Sequence, residues 1–137
     1  MEITDTRETI VELHLDMPVR LTTSNSMVEE TENHVAVERG PLVYCMESPD
    51  AEVGTLDDLV IPADAEFTTQ IIQIEGRQIM ALHSAFLAIE RDGQDRKALY
   101  KPLGRYKKVW KKVQMIPYFA WDNRGMGEMR IWFPVSY

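Results

Sequence analysis

From Val11 to Leu21 every second residue is apolar: Val11, Leu13, Leu15, Met17, Val19 and Leu21, with Glu12, His14, Asp16 and Arg20 between them. A period of two puts the apolar set on one face of a strand, whereas a helix would need spacings of three and four. Pro18 lacks the N–H that a ladder needs, so the segment is predicted to be an edge strand or two short strands around a bulge. The same alternation returns at Val35 and Val37. Gly40 and Pro41 then force a corner, because glycine tolerates positive φ and proline has its own φ set. Leu42 to Met46 is continuously apolar and reads as a strand covered on both faces. Phe67–Ile74 and Arg77–Leu82 read as two strands joined at Glu75-Gly76. Residues 85–90 fit helix or strand, with strand favoured, and Asp92-Gly93 is a turn signal. Leu56–Leu59 fits one short helical turn before Val60–Pro62. Met115–Trp121 and Glu128–Phe133 read as a terminal hairpin closed by the turn 122–127, with Gly125 or Gly127 at positive φ.

No helical period is sustained and no repeat is present. Many short strands separated by turns point to a β-sandwich or barrel. The expectation is an all-β, mainly antiparallel β-sandwich of jelly-roll or immunoglobulin-like type, with little helix, formed by residues 1–137 as one domain. A chain of 137 residues suffices for one core without staples. The single cysteine, Cys45, excludes an intrachain disulfide and an all-cysteine metal cage. No apolar run is long enough for a transmembrane helix, and Met1–Asp5 has neither the basic nor the apolar part of a signal peptide. No membrane partner is expected, and the compartment is left open.

Charge is unevenly spread. The net charge is −7, yet Arg96, Lys97, Lys101, Arg105, Lys107, Lys108, Lys111 and Lys112 follow one another with no acid among them. Residues 1–75 carry most of the acids and only Arg7, Arg20 and Arg39 as bases. A solvated strand or loop accounts for the basic run, and a surface for an anionic partner is the functional alternative. Tyr106 and Trp110 interleave with these cations, a pattern that suits packing, stacking on sugars or single-stranded nucleic acid. The acidic balance and the lack of a nucleic-acid motif argue against the last.

Few residues suggest chemistry. His14, His34 and His83 stand apart in strand-like segments, whereas zinc needs three or four converging ligands. Cys45 has no adjacent base to make a thiolate, and core packing is the simpler role. Asp57 and Asp58 are adjacent and would face opposite ways on a strand. Asp122 and Glu128 flank one turn and could form a carboxylate pair of glycosidase type if held about 5–9 Å apart in an open cleft. A structural role in the turn competes with that reading. No phosphate-binding glycine loop is present. No catalytic or metal residue is assigned.

Three blocks carry a family likeness: Val11–Arg20; Val35–Cys45, with Glu38-Arg39-Gly40-Pro41-Leu42-Val43-Tyr44 at its centre; and Ile116–Gly125 with Gly127–Pro134. Together they resemble the C-terminal part of glycoside hydrolase family 127, the β-L-arabinofuranosidase family, first catalogued as a domain of unknown function. The middle and last blocks are specific in wording and order, and residues 48–112 match poorly. The resemblance implies a larger protein in which an (α/α)6 barrel does the chemistry, with β-sandwich domains after it. Family catalysis is associated with a cysteine nucleophile and a zinc ion held by cysteines and a glutamate, all on the barrel. No paired cysteines exist here to receive those roles, so no cofactor is expected in this chain. The implied reading is a non-catalytic accessory domain, a C-terminal fragment whose partner is the parent's catalytic barrel, with homo-oligomer contacts as a further role. The rivals are a carbohydrate-binding module using Tyr106, Trp110 or Trp121 as platforms, and an independent glycosidase using Asp122 and Glu128. Gly40, Pro41, Gly125 and Gly127 are the structural motif residues. In Met115–Trp121 neither strand face is polar, so the second face is expected to be covered by residues 48–66, or else to dock on the barrel.

Overall fold

The computed structural model describes residues 8–91, 99–100 and 102–137. In chain order the strands are β1 (Val19–Thr22), β2 (His34–Arg39), β3 (Leu42–Glu47), β4 (Leu59–Pro62), β5 (Thr68–Ile74), β6 (Arg77–Arg91), β7 (Tyr106–Pro117), β8 (Met129–Arg130) and β9 (Phe133–Ser136). Single 3-10 turns lie at Glu29–Thr31, Ser48–Asp50, Leu56–Asp58 and Tyr118–Ala120, and there is no α-helix among the described residues. The fold is all-β, as the alternation requires.

The pairing closes on itself. β2 pairs β9, β9 pairs β4, β4 pairs β6, β6 pairs β7, β7 pairs β3, and β3 returns to β2. The chain is therefore a barrel-like closed sheet rather than two separate stacked sheets. Closure gives each ring strand a neighbour on both sides over part of its length, which limits the free edge that is the usual liability of an open sheet. All these pairings are antiparallel except β4 with β9, where Ile61 sits opposite Val135.

The β2–β3 corner is tight: Arg39 pairs Leu42 across Gly40 and Pro41, with Gly40 at φ +55°. Glycine is needed there for conformation; a Cβ would also come within 2.9 Å of the Met17 side-chain tip, which would have to shift. β5 and β6 form a hairpin from Thr68–His83 to Ile74–Arg77, turned by Glu75 and Gly76, both at positive φ. Residues 85–90 are strand, inside β6.

The ring encloses Val37, Tyr44, Met46, Leu59, Ile61, Leu82, Phe86, Met115 and Phe133, all fully buried. Phe86 stands edge-on to Phe67 (6.2 Å) and Phe133 (5.9 Å), the geometry aromatic quadrupoles favour. A smaller cluster of Cys45, Ile74, Ile79, Ile116 and Ala120 lies on the other side of β3 and β7. Tyr44 and Met46 thus face one cluster and Cys45 the other, which accounts for the unbroken apolar run in β3. The buried Tyr44 hydroxyl donates to the Met80 carbonyl at 2.9 Å.

Two expectations fail. Residues 8–18 form no strand, and Val11, Leu13 and Leu15 are 72–77% exposed. Only 19–22 pair, against Arg39–Ala36 of β2; Pro18 and Met17 still touch the β2–β3 corner, where the Gly40 N–H donates to the Pro18 carbonyl at 3.3 Å, but no described strand pairs residues 8–18. Periodicity reports a capacity to pair; a strand also needs a partner. The terminal hairpin is absent too. β7 ends at Pro117, and β8 pairs β3, with Met46 opposite Arg130, rather than folding back on β7. β3 lies between them, joined to β7 through Cys45–Ile116. Met115, Ile116 and Pro117 are covered from within, and Ala51 of the 48–66 segment bridges Val113. Tyr118, Phe119 and Trp121 remain exposed. The Asp92-Gly93 turn, Arg96, Lys97 and Lys101 lie outside the described residues.

Candidate functional site

A buried cluster of polar side chains holds the loop after β7 over the end of β3. Glu47 and Asp50 bracket the turn Ser48–Asp50 and cap it reciprocally: the Glu47 side chain accepts from the Asp50 N–H, and the Glu47 N–H donates to Asp50 Oδ2 at 2.8 Å. Each residue is only 5% exposed. Two buried carboxylates need a cation, and Arg124 supplies it. Its Nη1 donates to Asp50 Oδ1 (2.5 Å), its Nη2 to Asp50 Oδ2 (2.7 Å) and to Glu47, and its Nε to Glu47 Oε2 (2.9 Å). Gln114 of β7 donates to Asp50 Oδ1 (2.9 Å), and the Asp122 N–H donates to Glu47 Oε1 (2.9 Å). These bonds, those to Asp50 foremost, hold the guanidinium charged well above its ordinary range.

Sequence reading assigned Arg124 no role, although it lies in the Asp122-Asn123-Arg124-Gly125 block. The available signal was an arginine in a glycine-containing turn and two carboxylates spaced for a capping box around a proline.

Of the carboxylate pair weighed for chemistry, Glu128 is already engaged by the Leu56–Asp58 turn. The Glu128 carboxylate accepts the Leu56 N–H (2.6 Å) and the Thr55 hydroxyl (3.0 Å), capping the turn Leu56–Asp58. Glu128 borders a cleft of about 650 Å³ with Glu52, Asp58, Glu90, Arg91 and Lys111, and Asp122 is not among its lining residues. Within that cleft Arg91 pairs Asp58 (3.4 Å) and Lys111 pairs Glu90 (3.5 Å). Asp57 instead pairs Arg130, whose Nε donates to the Trp132 carbonyl at 2.8 Å. Asp57 and Asp58 lie in a 3-10 turn rather than on a strand, and they engage different partners.

Gly127 is required by proximity: a Cβ there would lie 2.7 Å from Ser48 Oγ. That hydroxyl accepts the Glu128 N–H at 2.7 Å, and the Ser48 N–H donates to the Glu128 carbonyl at 3.0 Å. Gly125 is required by conformation, with φ +94° and open space around it.

The histidines do not converge. His14 lies beside Glu12 (3.1 Å) on the surface, His34 contacts the Glu32 carbonyl (2.7 Å), and His83 Nε2 is buried without a partner among the described residues. Burial pushes the Cys45 thiol up to about 12, with the Glu47 and Asp50 charges adding to the effect. A thiol so held is a packing group rather than a nucleophile or metal ligand. Among the described residues no three His, Cys, Asp or Glu side chains converge as a metal site would need. The zinc that the family resemblance places on the barrel has no matching ligand set among the described residues.

The three aromatic candidates separate into two places. Tyr106 and Trp110 share one exposed face of β7. Trp121 lies beyond the other end of that strand, stacked on Tyr118 with centroids 6.1 Å apart and planes at 13°.

The fold and sequence have close counterparts. The family model for the glycoside hydrolase family 127 C-terminal domain matches residues 19–134. A non-reducing end β-L-arabinofuranosidase of Bifidobacterium longum subsp. longum is 34% identical over 126 residues, covering 88% of this chain and 19% of that protein. A solved structure described as a glycoside hydrolase superposes with a TM-score of 0.79 at 40% identity, covering 89% of this chain and 20% of its own. The crystal structure of a GH127 β-L-arabinofuranosidase from Geobacillus stearothermophilus T6 gives a TM-score of 0.73 at 30% identity, covering 88% of this chain and 18% of its own. The chain thus spans about a fifth of the length of the relatives it matches. By sequence and by fold it belongs to glycoside hydrolase family 127, as its C-terminal domain.

Proposed function

We propose that this chain is a non-catalytic accessory domain of a β-L-arabinofuranosidase-like glycoside hydrolase, and that it braces a catalytic barrel supplied by the rest of the parent protein. One observation carries this reading: of the buried or cleft-lining acids that could do chemistry, all but Glu52 are already occupied. Glu47 and Asp50 neutralise Arg124, Glu128 caps a backbone turn, and Asp58 and Glu90 pair with Arg91 and Lys111. A general acid or base needs a free, aimed proton site. The small share of each relative that the chain spans agrees with a supporting part rather than the reacting one. Tyr118, Phe119 and Trp121, left bare at the end of β7, form the apolar face for the parent.

The test is turnover of a β-L-arabinofuranoside by the isolated chain, with metal content measured in parallel. The expected result is no hydrolysis and no stoichiometric zinc. Turnover that disappears in Glu128→Ala would replace this reading with an independent glycosidase. A second reading, carbohydrate binding, is favoured by the exposure of Tyr106 and Trp110 on one strand face; Trp121, stacked on Tyr118, contributes less.

A further inference from the structure

β7 puts two kinds of side chain on one open face. Tyr106, Lys108, Trp110 and Lys112 occupy alternate positions, and alternate residues of a strand project to the same side. Trp110 is 64% exposed, Tyr106 51%, and both lysines are exposed. Across the ladder these four face Arg91, Ile89, Leu87 and Ala85 of β6, so the outward surface of this part of the ribbon bears cations, aromatics and aliphatics but no carboxylate. Arg91 is engaged by Asp58 (3.4 Å); Lys108 and Lys112 have no carboxylate partner among the described residues. The acid of the ribbon, Glu90, projects to the other side, toward Lys111.

A groove of about 500 Å³ runs beside Trp110, bordered by Pro49, Glu52, His83, Lys112 and Gln114. Asp50 also reaches it but is committed to Arg124 and Gln114, which leaves Glu52 as the one acid on its rim not engaged by a cation among the described residues.

The chemistry of this face is selective. An exposed indole offers a flat apolar surface to the C–H side of a sugar ring, as it does to other planar or cationic groups. The lysines two positions to either side stand roughly 6–7 Å away along the strand, and each is a mobile point charge suited to a carboxylate. Tyr106 lies roughly 13 Å from Trp110, far enough for a second ring of the same extended chain. The net charge of −7 disfavours every polyanion, and a densely charged polyphosphate more than a glycan with one carboxylate per ring, because among the described residues this face has only two unengaged cations.

We propose that the outward face of β6 and β7 around Tyr106, Lys108, Trp110 and Lys112 binds an acidic glycan, with Trp110 stacking on a ring and the two lysines pairing with sugar carboxylates. The inference rests on the carbohydrate-binding reading of these aromatics and narrows it to charged sugars; the accessory reading stands without it.

The experiment titrates the chain with oligogalacturonate, a neutral arabinan oligosaccharide and single-stranded DNA, followed by calorimetry and tryptophan fluorescence at low and high salt. Oligogalacturonate should bind and perturb the fluorescence, and affinity should fall several-fold as salt rises. Trp110→Ala and Lys108→Gln/Lys112→Gln should each weaken it about tenfold, the loss of roughly one good contact, while Met126→Ala, exposed and outside this face, leaves it unchanged. All these side chains are exposed, and circular dichroism checks that each variant folds. Equal binding of neutral arabinan, unaffected by the lysine changes, overturns the acidic-glycan inference and leaves carbohydrate binding standing. No binding of either saccharide overturns both. DNA binding as tight as oligogalacturonate reduces the face to general anion adhesion and overturns the inference.

Discussion

Replacing Arg124 by alanine should be among the most damaging single changes in this domain. Its guanidinium is, among the described residues, the one cation bonded to two carboxylates that are almost entirely out of water: the Asp50 side chain is fully buried and that of Glu47 is 7% exposed. Removing one member of a buried ion cluster costs about 3–5 kcal/mol, because the charges left behind are not rehydrated. Glu47 would keep only the Asp122 and Asp50 N–H groups, and Asp50 only Gln114 and the Glu47 N–H. With a urea slope of about 2 kcal/mol per molar, a loss of about 4 kcal/mol lowers the midpoint by about 2 M. Against a total stability of about 5–15 kcal/mol the variant is folded but marginal. Arg124→Lys keeps the charge without the planar fork, and should lose about 1–2 kcal/mol. The neutral combination Glu47→Gln, Asp50→Asn, Arg124→Met should recover much of the alanine loss, since no buried charge then lacks a partner. Urea titration followed by tryptophan fluorescence reads all three, and salt should change the ranking little because the cluster is buried. A cost below about 1 kcal/mol for Arg124→Ala, the worth of an exposed pair, would refute the reasoning. So would a triple variant no better than the alanine variant.

Gly127→Ala should cost about 1–2 kcal/mol through its clash with Ser48 and recover in combination with Ser48→Gly, whereas Gly125→Ala should cost about 1 kcal/mol from its positive φ and show no such recovery; urea midpoints of the three variants decide it. Cys45 should resist thiol reagents at pH 8 until the domain unfolds, so labelling rates should track denaturant. Its raised native pKa stabilises the fold fully below the unfolded thiol value near 9, and that contribution is lost as pH rises toward about 12. Cys45→Ala should therefore flatten the alkaline fall in urea midpoint, and an unchanged slope would count against it. The bare Tyr118, Phe119 and Trp121 surface should make the isolated chain self-associate as concentration rises, and Phe119→Glu should suppress this in light scattering; a monomer at every concentration would remove the docking-face argument.

Local chemistry determined much of this protein. Alternation at Val35 and Val37, the unbroken run Leu42–Met46, and the turns at Gly40-Pro41 and Glu75-Gly76 specified strands and corners because their cause is short-range: side-chain period and φ preference. The same information could not decide pairing. Val11 to Leu15 has the pattern of a strand and forms none among the described residues, since a ladder needs a second chain segment. Met129-Arg130 looked like the partner of β7, yet β3 lies between them, because distant strands compete for the same edges and the closed ring settles the competition. The family likeness was legible in contiguous blocks. The Arg124 cluster was not: Glu47, Asp50, Gln114 and Arg124 are spread along the chain, and only the tertiary fold removes them from water together and makes their charges depend on one another.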